Sequence, residues 1–434
     1  MARTPLVLLW LFGFTASASS QTIRLAESTV PGNCFRVELS LAVSGKLKVQ
    51  LPGGKAGSES LEAIASHVYT ERVESENRAV RYYTKATATS VIAGAKQVRE
   101  LSAPHRLIVA RPPVGVPQHF NPDSPLTREE LELVSEHFDS LLLPRLLPGK
   151  DVAPGESWKI PDAVAKAACF FEELTVNTLE GKLIDVQNGV AEFAVEGSAE
   201  GTELGAAVKV RVTAKGRFDL ATKRVVSLTW SQEDDRGQGP ASPAAELKAT
   251  VKLKREALAA EPDELNAAAR AKVPAGAIPE SLLQLRYTEP AGKYSFLHSR
   301  GWHVTGQVGE HLVLRLVENG DWIAQANILS LKPPHGANHM TPAAFKDAIA
   351  KQPGWEPAGI AADGELPTGP GRWLYRVAAV GKQDGLAVVQ AFFCLSDAAG
   401  NQVVVTVIAR DDRAAKLGTR DVALVNAIEF PGKK

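Results

Sequence analysis

Residues Lys293–Leu331, KYSFLHSRGWHVTGQVGEHLVLRLVENGDWIAQANILSL, decide the fold of the C-terminal third of the chain. Three short apolar runs are broken at Arg300-Gly301, Val308-Gly309-Glu310 and Asn319-Gly320-Asp321. The last break places Asn-Gly, the dipeptide preferred in a type I′ turn, between two β-rich runs. Its flanking strands are expected over Val313–Val317 and Trp322–Leu329. An antiparallel sheet follows from this pattern, but no reaction does.

Beyond it, Thr341-Pro342 supplies an N-cap and a proline at the first helical position. Phe345 and Ile349 mark the apolar side of a helix that ends before Pro353. Strands are expected over Arg372–Val380, Gly385–Leu395 and Gln402–Ala409, with turns at Asp384-Gly385 and Asp397–Asn401. A closing helix is expected over Arg413–Ile428, weakened by Gly418. Strand pair, helix, meander and helix make an α+β layer.

Before it lies an Ala-rich stretch, Ala257–Ile278, punctuated by Pro262, Pro274 and Gly276. It reads as a spacer between domains that lets them reorient. Four segments follow from this division: a leader over 1–18, a β-rich domain over 19–256, a linker over 257–286 and a C-terminal domain over 287–434.

In the N-terminal domain, Phe35, Val37, Leu39 and Leu41 alternate with Arg36, Glu38 and Ser40, the pattern of a half-buried strand. Further strands are expected over Leu61–Val73, Arg78–Ala88 and Leu107–Ala110, and again from Glu156 to Lys254. Between the two groups Thr127-Arg128-Glu129-Glu130 forms a capping box. The apolar stripe Leu131, Val134, Phe138 and Leu141 then predicts one helix that runs to Pro144. The acids Glu129, Glu130, Glu132 and Glu136 read as its solvated first turns. The expected architecture is a curved antiparallel half-barrel wrapped around this helix. Its pattern resembles the half-barrels of exported lipid and lipoprotein carriers. If the concave side is left open and apolar it can hold an acyl chain; if the helix plugs it, the domain is simply packed. The plugged form is the expectation.

The entry Tyr294-Ser295-Phe296…Gly301-Trp302, the long hairpin, the helix at Thr341 and the helix after Val407 resemble the PsbP/DcrB-like group. That group often carries a proline in this entry, where Ser299-Arg300 stands here. The resemblance covers about 287–431 and implies an αβα sandwich and a role in docking to larger assemblies. It implies no shared catalytic set, so it assigns no residue a function.

The chain of 434 residues carries 49 basic and 49 acidic side chains, which gives no bulk attraction to nucleic acid. Arg3, the apolar run Leu6–Phe14 and Ala16-Ser17-Ala18 read as a secretory signal, so the protein is expected to be exported, to periplasm or medium. No later apolar run reaches the length of a membrane span. Buried free thiols are the expectation for all three cysteines, and Cys34 with Cys169 is the intra-domain candidate for a disulfide.

Five of nine histidines lie between His298 and His339. His303 and His311 flank a turn, while His335 and His339 have an i, i+4 spacing in a loop. These four are the candidate metal ligands. A metal-dependent hydrolase using His303, His311 and the neighbouring Glu310 is the alternative function. No Ser elbow or phosphate-binding Gly loop occurs, so no catalytic residue and no cofactor is assigned. The leading expectation is an exported, non-enzymatic protein that binds a protein partner or an apolar ligand through its sheets.

Overall fold

The computed structural model describes residues 22–50, 56–111, 118–135, 137–333 and 337–431. The predicted leader, Glu136 and His335 lie outside the described residues.

Strict alternation sets the N-terminal sheet. In Cys34–Gln50 the inner positions Phe35, Val37 and Leu39 are buried, while Arg36, Glu38 and Ser40 stay exposed. This strand pairs along its whole length with Ala56–Ser75 on one side and over Phe35–Lys48 with Ala244–Ala257 on the other. The full order across the sheet is 95–100, 78–92, 56–75, 34–50, 244–257, 224–236, 206–219, 190–203, 180–187 and 157–159. Strands 107–110 and 173–177 pair beside this path, making twelve in all. Two meanders are thus zipped together by the pairing of 34–50 with 244–257, and the sheet remains open at 95–100 and 157–159.

The expected single helix is shorter than its apolar stripe. It spans Arg128–Ser135, and a 3-10 helix over Ser140–Leu146 carries the remainder. The capping box forms as read: Thr127 Oγ1 accepts from the Glu130 amide at 3.2 Å, and Glu130 Oε2 accepts from the Thr127 amide at 3.0 Å. The break follows from Asp139, whose carboxylate caps the second segment by accepting from the Leu141 amide at 2.9 Å. Glu130 is not solvated. It is buried, bonded to His105 Nδ1 at 2.7 Å and to Ser102 Oγ at 2.6 Å. Burial alone would raise its carboxyl; the His105 and Ser102 bonds outweigh burial and hold it at about 2. Leu131, Val134, Phe138, Leu143 and Leu146 fill the concave side together with the Asp162–Ala168 helix.

The C-terminal sheet has seven antiparallel strands in the order 302–308, 311–318, 321–331, 402–410, 386–397, 372–383 and 355–365. The Asn319-Gly320 turn is type I′, with φ of 50° and 78°, and joins the paired Glu318 and Asp321. The Pro342–Ala350 helix covers one face, packing its Phe345 with Tyr375 and Phe392 of the sheet. The other face buries Trp302, Leu314, Phe393 and Val425 beneath the Arg420–Asn426 helix and the 285–288/295–298 strand pair. Gly418, at φ 59°, splits the expected last helix into Ala414–Leu417 and Arg420–Asn426. The edge strand Trp355–Glu365 was not foreseen, because its Pro, Gly and Ala content carries almost no β signal and most of it is exposed. The fold class is α+β, built from separate antiparallel sheets.

The 257–286 stretch is not a free spacer. Leu265 is buried, Arg270 pairs with Glu261 and Glu74, and Arg78 Nη2 donates to Pro274 O at 2.6 Å. Leu285 joins the N-terminal core. Across the junction, Arg128 Nη2 donates to Arg300 O and Trp302 O at 2.6 and 2.9 Å, and Arg300 Nη2 donates to His119 O at 2.5 Å.

Candidate functional site

The inner face of the N-terminal sheet has two ends of opposite character. At the sealed end, Glu71 and Arg81 occupy inward positions of neighbouring strands, and Asp139 reaches them from the start of the 3-10 helix. Arg81 is fully buried. It donates to Glu71 Oε2 at 2.7 Å, to Asp139 Oδ1 at 2.5 Å and to Ser140 Oγ at 3.1 Å. Ser140 in turn donates to Glu71 Oε2 at 2.7 Å and shares a hydrogen bond with the Tyr69 hydroxyl at 3.1 Å. His119 Nε2 stands 3.5 Å from Asp139 Oδ2, an ion-pair rather than a hydrogen-bond distance. Burial would raise the Asp139 carboxyl, yet the Arg81 guanidinium, with His119 nearby, holds it well below the usual range. Closed off from solvent, this cluster ties the helical plug to two strands. Its geometry is that of a structural fastening.

At the other end the same alternation continues, but among the described residues its inner side chains are only partly buried. Along 34–50 the inner side chains go from buried Phe35, Val37 and Leu39 to half-buried Leu41, Val43, Leu47 and Val49. Along 56–75 they go from buried Tyr69 and His67 to half-buried Ala65, Ala63 and Leu61. The pairings Leu41↔Ala65, Val43↔Ala63, Leu41↔Val251 and Val43↔Ala249 set these residues side by side in one apolar trough. The plugging helical segments press on strands 78–92, 95–100, 173–177 and 224–236. Leu41 and Ala88 still touch the core, while Val43, Leu47, Leu61 and Leu247 belong to none of the core clusters among the described residues.

Between the two ends stand His67 and His137, with ring centroids 4.7 Å apart. Both are buried, and neither His67 nitrogen nor His137 Nε2 has a hydrogen-bond partner among the described residues. Burial pushes both imidazoles down, His137 to about 4. Sequence reading missed this group, although a signal was present. His67, Tyr69, Glu71 and Val73 share the inner parity of one strand, so two ionisable groups alternate with core residues.

The residues singled out for metal binding are not brought together. His303 pairs with Arg315, four positions along the strand from His311, a separation of about 13 Å at the rise of a β-strand. Burial, with Arg128 and His298 nearby, pushes His303 down to about 3. Glu310 is engaged by Lys293. His339 stacks on Trp373, with centroids 3.8 Å apart. No cluster of three or more His, Cys, Asp or Glu suited to a metal occurs among the described residues. Cys34, Cys169 and Cys394 are buried free thiols, so the Cys34–Cys169 disulfide is not formed. Cys169 lies near Asp234, whose row crosses 34–50 at Gly45, eleven residues and about 36 Å along the strand from Cys34.

No family model matches the chain, and no curated protein matches it. Among solved structures, PsbP (CyanoP) from Synechocystis sp. PCC 6803 is 13% identical with a TM-score of 0.26, over 36% of this chain and 99% of that one. Lipovitellin is 8% identical with a TM-score of 0.33, over 54% of this chain but only 26% of its own. The Ran-binding protein Mog1p of Saccharomyces cerevisiae is 10% identical with a TM-score of 0.26, over 34% of this chain and 95% of its own. The resemblance to PsbP is thus a weak likeness of fold, and likenesses of this size carry no functional weight. Among the described residues no helix is long and apolar enough to cross a membrane.

Proposed function

We propose that the protein is an exported, non-enzymatic carrier that holds an apolar ligand in the open end of its N-terminal half-barrel. One observation supports this reading above the others. The inner apolar face of strands 34–50, 56–75 and 244–257 is only partly buried at Val43, Leu47, Leu61 and Leu247, which lie outside the core clusters among the described residues. Leaving such a face open forgoes roughly 25 cal/mol for each Å² of apolar surface left in water, which a bound hydrocarbon would recover. The PsbP-like relationship of the C-terminal domain belongs to the same proposal, with that domain as the docking part.

Native mass spectrometry of the purified protein, with titration of a delipidated sample by a fluorescent acyl probe, tests the carrier. Saturable binding that Val43→Asp abolishes is the expected result, and absence of saturable binding would overturn it. Amino-terminal sequencing of the mature chain tests export: a start near residue 19 is expected, and an intact Met1 would refute it.

A further inference from the structure

The trough ends at a feature that a purely hydrocarbon ligand would leave unused. Inner-face positions run Leu61, Ala63, Ala65, His67, so the buried imidazole is the next step of the same column. At about 3.3 Å per residue the column is about 20 Å long, and a head group over Ala65 rests about 6.6 Å from the His67 backbone, within reach of the imidazole and one hydrogen bond. His67 and His137 together present three nitrogens with no hydrogen-bond partner among the described residues. Buried polar atoms of this kind normally have partners.

Charge narrows the choice of head group. The acids beyond the histidines, Glu71 and Asp139, are engaged by Arg81, and Lys85 on the neighbouring strand adds a positive potential at His67. A permanent cation is disfavoured there. A carboxylic acid suits the pair, since its proton either stays and is donated to an imidazole nitrogen or passes to it, leaving carboxylate beside imidazolium. Both forms have no net charge, so both tolerate burial. An ester offers no proton.

We infer that the trough takes a long-chain carboxylic acid, its tail along Leu61, Ala63 and Ala65 and its carboxyl group on the His67 and His137 imidazoles. This rests on the carrier reading above and adds the class of ligand. The test is calorimetric titration of the delipidated full chain with hexadecanoic acid and, separately, with its methyl ester. The acid binds at least about tenfold tighter than the ester, the worth of one charge-assisted hydrogen bond. In His67→Phe, and in His67→Gln should the first variant fold poorly, that preference falls toward one. In the unmodified protein, the ¹⁵N resonances of the His67 imidazole shift with the acid and not with the ester. Equal affinity for acid and ester, or an unmoved His67 resonance on acid binding, overturns the inference while leaving the carrier intact. Failure of both ligands to bind removes the carrier as well.

Discussion

The two ends of the N-terminal sheet are made by the same strands with the same alternation, yet one is fastened shut and the other is left open. At the closed end a buried arginine holds two carboxylates, and the plug fills the concavity. At the open end small and medium apolar side chains line a face that, among the described residues, stays only partly buried. The difference teaches that a period of two specifies which side chains point inward, not what meets them there. What lies inside is decided by where a separate segment, here residues 128–147, comes to rest.

Four tests sharpen that contrast. The largest effect is expected for Arg81→Met, which leaves Glu71 and Asp139 buried without their partner. A loss of about 3–5 kcal/mol in urea unfolding is expected, and a loss below 1 kcal/mol would show the fastening to be ornamental. Next, Leu143→Ala in the plug, where the side chain is wholly buried, should cost about 2–5 kcal/mol. Val43→Ala in the trough should cost less than about 1 kcal/mol by the same measurement, since its cavity is already open to water. Equal losses at the two positions would erase the distinction between the ends.

The third concerns pH. His137 and His298 are pushed by burial from about 6.5 to about 4 in the folded protein. The unfolded chain then binds more protons than the folded one between these values, so stability falls as pH drops from about 6.5 and levels off below about 4. The full effect is about 3 kcal/mol for each histidine. Unfolding midpoints measured from pH 7 to pH 4 should decline, and His137→Phe should flatten the decline for the N-terminal domain. A midpoint independent of pH in this window would contradict the burial of both rings. Thr127→Ala, which removes one half of the capping box, should cost about 1 kcal/mol by urea unfolding.

Much of this architecture was legible in the residues. The Asn319-Gly320 turn, the Thr341 and Thr127 caps and the alternation from Phe35 onward each rest on local chemistry, and each forms as read. The helix expected to run from Thr127 through Leu141 was misread because a 3.6-residue stripe cannot reveal that Asp139 has a stronger claim on Arg81 and on the Leu141 amide. The spacer at 257–286 was misread because its Ala and Pro content says nothing of Arg72, Glu74 and Arg78, which lie far off in sequence and hold it to the strands. For the site, histidines were counted where they cluster along the chain, at 298–339. His67 and His137, seventy residues apart, meet only through the fold.

By itself the sequence determined which side chains face in or out, where chains reverse and where helices begin, because these depend on neighbours within a few residues. Only the tertiary structure decided that the plug stops partway along the sheet, that Arg81 is matched by two acids and that two imidazoles meet at the edge of an open trough. Those outcomes are set by contacts between distant segments competing for the same buried space, and no local period encodes which segment prevails.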